Sequence, residues 1–324
     1  MQQFDFLSVT QQNFEEQALA VFQHQAEHCK VYKDFLGYLN VNPKKITSTQ
    51  EIPFLPIQFF KSHRIVSNNN PIQETFLSSG TTGMSQSQHL VTDVSIYEKS
   101  YLKAFEQFYG DIREYTVLAL LPSYLERNGS SLIYMVEDLI HKSQNPNSGF
   151  YLHNHQELFN QLQEQENKQA KTILIGVSFA LLDFIEKFPC NLKHTIVMET
   201  GGMKGKRKEM IREELHEELK KGFGVQNIHS EYGMTELLSQ AYFDDSQKFN
   251  CPPWMKILIR DTEDALSLLP IEKSGGINVI DLANINSCSF IATQDLGKVY
   301  NNGQFDVLGR FDNSDIRGCN LLIQ

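Results

Sequence analysis

The spacing of apolar residues divides the first quarter of the chain into a helix and an irregular stretch. In residues 13–29, apolar side chains recur three or four positions apart, which predicts one amphipathic helix. Residues 42–71 contain Pro43, Pro53, Pro56 and Pro71. Because proline lacks an N–H group and breaks helices, we expect irregular connections and short extended pieces there.

The middle of the chain alternates continuous apolar runs with helical patterns. These segments are, in chain order, 116–121, 130–140, 172–176, 178–188, 194–198, about 206–221 and 227–230. Buried runs alternating with helices predict βαβ units and a parallel or mixed sheet. From about Trp254, shorter runs broken by Gly, Asn and Asp predict an antiparallel region. The predicted fold class is α/β.

Composition narrows the class of protein. The 324 residues suggest two domains or one large one, and 41% hydrophobic with 21% charged residues is typical of a folded globular protein. With 29 Lys and Arg against 39 Asp and Glu, the net charge is −10. A chain this acidic is a poor candidate for holding a phosphate backbone by charge, so we expect no nucleic-acid partner.

Cysteine usage and the N-terminus indicate the compartment. The five cysteines are scattered, odd in number and form no C-x-x-C pair, which argues against a disulfide framework or a zinc ribbon and favours reduced thiols. The first residues lack the basic and apolar regions of a secretory signal, and no apolar stretch is long enough to span a bilayer. We therefore expect a cytoplasmic protein without a membrane span.

A hydroxyl–glycine segment at residues 78–83 is the sharpest local signal. Small residues there allow backbone N–H groups and hydroxyls to converge on one point, as in a phosphate cradle. It is not a P-loop of the G-x-x-x-x-G-K-[ST] kind, because no Lys follows at the required spacing. An ordinary flexible turn is the alternative. The segment consists of Ser78, Ser79, Gly80, Thr81, Thr82 and Gly83.

Two further signals lie downstream. Glu231-Tyr-Gly-Met-Thr-Glu236 follows a predicted strand, so it falls at the sheet edge where ligands of open α/β sheets bind, although a structural turn is the alternative. Asp295, in Thr-Gln-Asp-Leu-Gly, could accept hydrogen bonds from ribose hydroxyls. Arg310, in Gly-Arg-Phe-Asp, could hold the same sugar or a phosphate.

In this order, these motifs resemble the adenylate-forming superfamily of acyl-CoA synthetases, adenylation domains and luciferases. Residues 121–132, 200–205 and 314–319 resemble most closely the LuxE-type acyl-protein synthetases, which are long-chain fatty acid–protein ligases. The resemblance implies the large N-terminal-type domain of these enzymes, with mixed sheets flanked by helices and a small antiparallel β region. Because the chain ends six residues after Gly318, we expect the mobile C-terminal lid domain and its catalytic Lys to be absent.

That resemblance also implies a division of one adenylating domain. Residues 1–75 would be a helical and irregular N-terminal segment, and residues 76–253 the α/β nucleotide-binding core. Residues 254–308 would be the β-rich region, and residues 309–324 a hinge stub and tail.

Residue roles follow from the same resemblance. The hydroxyl–glycine segment would surround the β- and γ-phosphates of ATP, and Gly201 and Gly202 would let the adenine approach the backbone. Tyr232 would stack on the adenine, in a nucleotide-binding run that includes Gly233 and Met234. Thr235 would contact the α-phosphate and Glu236 would hold Mg²⁺. Asp295 and Arg310 would grip the ribose.

Residues 85 and 86 depart from the pattern of the superfamily, and Cys319 allows two interpretations. Where most of the superfamily has Pro and Lys after the phosphate loop, this chain has Ser85 and Gln86, which removes a cation from the pyrophosphate side. Cys319 matches the cysteine that receives the acyl group as a thioester in the resembled branch. A small buried cysteine beside Leu321 and Leu322, without chemistry, is the alternative.

The predicted function is ATP- and Mg²⁺-dependent activation of a carboxylic acid, most simply a fatty acid, to an acyl-adenylate. The acyl group would then pass to a protein cysteine or another thiol, and the partner would be an acyl-accepting reductase or carrier protein. One alternative is a ligase of the phenylacetate–CoA ligase type, with coenzyme A or a carrier protein as acceptor. Another is a catalytically silent nucleotide-binding subunit of an acyl-transfer complex.

Overall fold

The computed structural model describes residues 4–79, 86–121, 129–201, 207 and 210–311. Its α-helices are α1 (Phe14–His28), α2 (Lys30–Tyr38), α3 (Phe59–Ser62), α4 (Val94–Tyr109), α5 (Ser131–Ser143), α6 (His155–Asn167), α7 (Ser178–Lys187) and α8 (Arg212–Phe223). Among these helices, none combines the length and the apolar character needed to cross a membrane.

The first seven strands cover the N-terminal segment and the parallel part of the fold. They are β1 (Leu55–Pro56), β2 (Glu74–Leu77), β3 (Gln88–Val91), β4 (Thr116–Leu120), β5 (Gly149–Phe150), β6 (Thr172–Val177) and β7 (Thr195–Thr200). The remaining strands are β8 (His229–Tyr232), β9 (Ala241–Phe243), β10 (Phe249–Asn250), β11 (Met255–Arg260), β12 (Ser274–Asp281), β13 (Phe290–Val299) and β14 (Phe305–Arg310).

One large mixed sheet dominates the described part of the chain. Its strand order is β11-β12-β13-β14-β10-β9-β8-β7-β6-β4-β5, and β1 pairs in parallel with β13. Strands from β5 to β8 are parallel to their neighbours, and those from β8 to β11 are antiparallel. The α/β class is confirmed. The antiparallel strands extend the parallel sheet, and they begin at β9, before Trp254.

The core strands form where continuous apolar runs predicted them, whereas helix α8 begins later than expected. Strands β4 and β6 are buried at every position, as their continuous apolar runs indicated. Helix α8 begins at Arg212, later than the expected position near residue 206. Glu213 and Glu214 occupy its first turn, where the helix dipole favours acidic side chains.

The N-terminal segment packs against the far end of the chain. The proline-containing stretch forms short 3-10 turns and the two-residue β1, as its prolines predicted, but Phe59–Ser62 between Pro56 and Pro71 form α3, a single helical turn that was not expected. Gln25 of α1 is fully buried, and its amide donates to the carbonyl oxygens of Asn284 and Ile285, both at 3.0 Å. The Ser67 hydroxyl donates to the same Ile285 oxygen at 2.6 Å. The N-terminal segment therefore holds the connection between β12 and β13.

A small separate hairpin carries the hydroxyl–glycine segment. Strands β2 and β3 pair antiparallel, with Leu77 opposite Gln88, so residues 78–87 connect them. Helix α3 packs on this hairpin, and the Phe60 ring meets the His89 ring edge-on at 5.8 Å between centroids. His89 of this hairpin also contacts Thr235, so the hairpin lies beside the loop that follows β8.

Candidate active site

The base of the hydroxyl–glycine segment is closed by its own polar groups. Ser78 N–H donates to the Ser87 carbonyl at 3.1 Å, and Ser87 N–H donates to Ser78 Oγ at 2.9 Å. The Gln86 amide donates to the Ser78 carbonyl at 2.8 Å. Gln86, at the position where the resembled enzymes carry Lys, thus binds the loop itself. Ser79 is exposed, and Gly80, Thr81, Thr82 and Gly83 lie outside the described residues.

The loop after β8 carries Thr235 and Glu236 to the hairpin. Glu236 is 5% exposed, and burial raises the pKa of its carboxyl, while the Ser87 hydroxyl donates a hydrogen bond that lowers it in part. His89 Nδ1 lies 2.8 Å from the Thr235 carbonyl oxygen. Burial lowers the pKa of His89 to about 4, so the ring is neutral near pH 7. Two segments far apart in sequence therefore meet at this point.

A buried carboxylate, that of Asp281, binds the backbone of the same loop. Asp281, at the end of β12, accepts from the backbone N–H groups of Leu238 at 2.8 Å and Ser239 at 3.0 Å. The Ser239 hydroxyl donates to its other oxygen at 2.6 Å. Burial raises the pKa of Asp281 to about 6, against these hydrogen bonds. The sequence motifs did not indicate Asp281, because its position beneath the loop depends on sheet pairing.

Tyr232, Asp295 and Arg310 form one connected group. The Tyr232 hydroxyl donates to Asp295 Oδ2 at 2.8 Å, and Arg310 Nε lies 3.2 Å from Asp295 Oδ1. Burial raises the pKa of Asp295, and the Arg310 charge opposes that shift. Strand pairing explains the contact, since Asp295 of β13 stands opposite Arg310 of β14. The Arg310 side chain is 74% exposed, so its guanidinium is accessible to a ligand.

The Tyr232 ring is largely enclosed by aromatic neighbours. It is 9% exposed and packs edge-on against Phe249 and Phe305, at centroid distances of 5.8 and 5.7 Å. Stacking of this ring on an adenine stays a prediction. Gly233 follows immediately, and a Cβ there would meet the Glu231 carboxyl oxygen, so a larger residue at this position would require the Glu231 side chain to move.

A second group of polar side chains surrounds Gly201. The Ser178 hydroxyl donates to Glu199 at 3.0 Å and lies 3.4 Å from the Gly201 carbonyl oxygen. Thr200, which follows Glu199 on β7, donates to the carboxyl of Glu231 on the neighbouring strand β8 at 2.6 Å. Burial raises the pKa of Glu231 to about 7, and the negative charge of Glu199 adds to that rise. Gly202 lies outside the described residues, as does Cys319.

Arg260 is a buried cation that the sequence motifs did not indicate. Its guanidinium donates to the carbonyl oxygens of Ile277 at 2.7 Å and Thr293 at 2.5 Å, and burial lowers its pKa. Thr293 Oγ1 in turn accepts from the Asp295 N–H at 3.1 Å. Arg260 therefore supports the strand that presents Asp295. A lone Arg in an apolar run gave no signal of this role.

The residues present fit a magnesium nucleotide. No cluster of three or more His, Cys, Asp or Glu side chains arranged for a metal occurs in the described ranges. Mg²⁺ in phosphate-transfer sites is commonly held by one or two protein carboxylates together with the phosphate oxygens of the substrate. Glu236, which accepts a hydrogen bond from Ser87 at the base of the hydroxyl–glycine segment, is a carboxylate of the kind that could hold Mg²⁺, and the exposed Arg310 is a cation of the kind that could contact the nucleotide.

The sequence is similar to a known protein family over its N-terminal third. Residues 6–115 match the family model described as "Acyl-protein synthetase, LuxE". The resemblance to the LuxE-type branch is confirmed. A LuxE-type relative, the long-chain-fatty-acid–luciferin-component ligase of Photorhabdus luminescens, is 37% identical over 67 residues, which cover 20% of this chain. The match spans 57% of that relative's length.

Solved structures confirm the fold of adenylate-forming enzymes. An open conformation of 2-hydroxyisobutyryl-CoA ligase, in complex with 2-HIB-AMP and CoA, superposes with a TM-score of 0.69 at 11% identity, covering 94% of this chain and 72% of that one. ATP-bound MatB from Rhodopseudomonas palustris gives 0.56 at 17% identity, with 76% and 49% covered. At these identities the likeness shows the fold alone.

Proposed function

We propose that this LuxE-type chain activates a carboxylic acid with ATP, releases pyrophosphate and passes the acyl group to a thiol. The observation that carries the proposal is the meeting of three separate sequence motifs at one sheet edge. Ser87 and His89 of the hairpin contact Glu236 and Thr235, and Tyr232, the last residue of β8, donates to Asp295, which also contacts Arg310. The LuxE family match and the adenylate-forming fold support the same reaction class.

In the first step, a carboxylate oxygen of the acid attacks the α-phosphorus of ATP and the bond to the bridging oxygen breaks, so pyrophosphate leaves. No protein nucleophile is required. This chain's residues would orient the reactants: Thr235 at the α-phosphate, and Asp295 with Arg310 at the ribose. Mg²⁺ held by Glu236 would neutralise phosphate charge. Positioning and charge stabilisation supply most of the catalysis in such reactions.

In the second step, a thiolate attacks the acyl carbonyl of the adenylate, a thioester forms and AMP leaves. Cys319 is the proposed acceptor within this chain. Coenzyme A or a carrier protein is the second candidate, favoured by the close structural likeness to a ligase whose solved complex contains CoA.

The acid is proposed to be a fatty acid. Beside Glu231, which precedes the nucleotide-binding loop, lies a small cavity whose walls are otherwise mostly apolar. With a volume of about 10 Å³ this cavity has room for no more than about one water molecule, so the proposal rests on the LuxE-type relative, whose name specifies a long-chain fatty acid. The cavity is lined by Phe105, Ile112, Val117, Met135, Val136, Leu139, Ile173, Ile175, Met198, Glu231 and Tyr242.

Acid-dependent ATP–pyrophosphate exchange tests the first step, with short, long and aromatic acids compared at fixed Mg²⁺. We expect exchange with long-chain acids. ATP binding without exchange on any acid would contradict the proposal and favour a silent nucleotide-binding subunit.

Labelling with a radioactive acid tests the second step. Cys319→Ser should lose the protein-bound label and keep the exchange, whereas Cys190→Ser, at a partly buried position three residues after α7, should keep both. Retained labelling of the Cys319→Ser protein would exclude Cys319 and leave an external thiol as acceptor.

A further inference from the structure

The Arg260 side chain crosses one strand of the sheet while it stays buried. Arg260 of β11 pairs with Gly276 of β12, and a Cβ at position 276 would lie 2.5 Å from the guanidinium carbon. Because glycine has no side chain, the guanidinium can pass over β12 and reach β13. The residue is 8% exposed. A glycine opposite Arg260 therefore lets a buried cation of β11 contact β13.

A β-bulge on β13 presents Asp295 at this point. The register between β12 and β13 shifts, so three residues of β13, 293–295, face the single residue Ile277 of β12. A bulge leaves groups of the ladder unpaired and changes the direction of the side chains on the bulged strand. The last of the three residues is Asp295, whose carboxyl accepts a hydrogen bond from Tyr232.

Arg260 supplies hydrogen bonds that the bulge lacks. Its guanidinium donates to the Ile277 carbonyl at 2.7 Å, the Asn278 side-chain oxygen at 2.9 Å and the Thr293 carbonyl at 2.5 Å. The Thr293 hydroxyl also donates to the Ile277 carbonyl, at 2.9 Å, and accepts from the Asp295 N–H. Since buried backbone groups without partners cost free energy, these contacts favour one geometry of the bulge.

The same guanidinium contacts the residue that follows Arg310. It lies over the Phe311 ring, with the guanidinium carbon 5.4 Å from the ring centroid. The Phe311 N–H donates to the Gln294 carbonyl, within the bulge, at 2.7 Å. A guanidinium stacked on an aromatic ring stabilises the position of both groups. Arg260 therefore contacts the bulge that carries Asp295 and the neighbour of Arg310.

The Arg260 charge also acts on the Asp295 carboxyl. Burial raises the pKa of Asp295, and the Arg310 charge, the Tyr232 hydrogen bond and the Arg260 charge oppose that rise. A charged carboxylate accepts stronger hydrogen bonds from hydroxyl groups than a neutral carboxyl does. Arg260 thus favours the form of Asp295 that binds hydroxyl groups best.

We propose that Arg260 and Phe311 are positioning residues for ribose recognition. They hold the bulge that orients Asp295 and the strand end that carries Arg310, so that both side chains face the ribose hydroxyls. The inference rests on the proposed function, because it takes Asp295 and Arg310 as the ribose-binding pair. Neither Arg260 nor Phe311 is assigned contact with the nucleotide.

The ratio of the affinities for AMP and 2′,3′-dideoxy-AMP measures this positioning without turnover. The two nucleotides share the base and the phosphate and differ only in the ribose hydroxyls. We expect the wild-type protein to bind AMP about tenfold more tightly by calorimetry, because each missing hydroxyl leaves a charged group without its partner. A general loss of folding would weaken the binding of both nucleotides alike and leave the ratio unchanged.

Arg260→Met, Arg260→Lys and Phe311→Leu separate the contributions. Methionine keeps an apolar chain but loses every donor, so we expect this variant to bind the two nucleotides within about twofold of each other. Lysine keeps the charge but not the planar fork, and its ratio should lie between those of Arg260→Met and wild type. Phe311→Leu removes the stacked ring and keeps the Arg260 hydrogen bonds, and its ratio should fall by about threefold.

Lys248→Met is the matched control. Lys248 also lies over an aromatic ring of the β13–β14 hairpin, 4.5 Å from the Tyr300 centroid, so its loss removes a similar contact elsewhere. This variant should keep the wild-type ratio. A wild-type ratio in both Phe311→Leu and folded Arg260→Met would overturn the inference alone. If Arg260→Met does not fold, the ratios of Arg260→Lys and Phe311→Leu decide in the same way.

Two outcomes in the wild-type protein separate this inference from the proposed function. Equal binding of AMP and dideoxy-AMP would overturn the inference together with the ribose assignment, and ATP–pyrophosphate exchange would still test the reaction. A wild type that prefers AMP but exchanges with no acid would overturn the proposed function alone.

Discussion

Gln86 shows how a single residue changes what a loop can bind. Its amide donates a hydrogen bond to the Ser78 carbonyl. The base of the loop therefore carries a neutral side chain where the resembled enzymes have a cation. The identity of this residue is plain from the sequence, but its hydrogen bond to Ser78 is not, because a side chain's partner depends on how the hairpin closes.

Gln86→Lys should strengthen phosphate binding. An ammonium group near the β- and γ-phosphates adds a charge-assisted contact, for which we expect about three- to tenfold tighter pyrophosphate binding, or ~1 kcal/mol. Calorimetric titration measures the change. Gln88→Lys, an exposed neighbour on β3, is the control and should have a smaller effect. Equal effects of the two substitutions would mean that general charge, and not loop position, is responsible.

Asp295→Asn should weaken nucleotide binding. The amide keeps the shape but loses the charge that faces Arg310, and it offers the ribose a single acceptor oxygen. We expect ATP and AMP to bind about tenfold more weakly, in equal measure, because both carry the ribose. Asp306→Asn, which breaks a contact with Lys248 at 2.7 Å on the neighbouring strand β14, should leave both affinities unchanged. A selective loss of ATP binding would contradict the ribose assignment.

At the scale of elements, the N-terminal helix α1 acts on the site through the β12–β13 connection. Its apolar face was predicted from spacing alone. The buried Gln25 on that face was not, since a polar residue in an apolar stripe carries no information about its partner 259 positions away.

Gln25→Ala should destabilise this contact. It leaves the Asn284 and Ile285 carbonyls and the Ser289 N–H without their partner in a buried setting. The expected loss in free energy of unfolding is about 1–3 kcal/mol, measured by urea denaturation. Gln23→Ala, which removes a half-buried contact with the Pro43 carbonyl, should cost less. A larger loss from Gln23→Ala would place the docking contact elsewhere.

At the scale of the whole molecule, buried acids make stability depend on pH. Glu231 has its pKa raised to about 7 in the folded chain, against an ordinary value of 4.5. Between these two values the unfolded chain releases the proton and the folded chain keeps it. Stability from this group therefore falls as pH rises through that window, and Asp281 adds a fall in the same direction below about pH 6.

Glu231→Gln should remove most of the pH dependence of stability that Glu231 causes. The amide oxygen still accepts from Thr200, and no buried charge forms at high pH. We expect the variant to gain stability relative to wild type between pH 5 and pH 8, on the order of 1–3 kcal/mol. Urea denaturation at several pH values measures the slope. Glu214→Gln, on the exposed face of α8, should leave the slope unchanged, and an unchanged slope in Glu231→Gln would show that Glu231 ionises normally.

The sequence by itself determined the class of the fold and the order of the motifs. Continuous apolar runs such as that of β6 form buried strands wherever they pack, and small hydroxylated residues with glycine permit a phosphate loop in any fold, so these signals are local. Tertiary structure decided which residues support the site. His89, Asn284, Asp281 and Arg260 act on segments distant in sequence, through contacts created by sheet pairing and by the docking of α1. Such contacts leave no periodic or motif signal, because they depend on three-dimensional proximity and on burial.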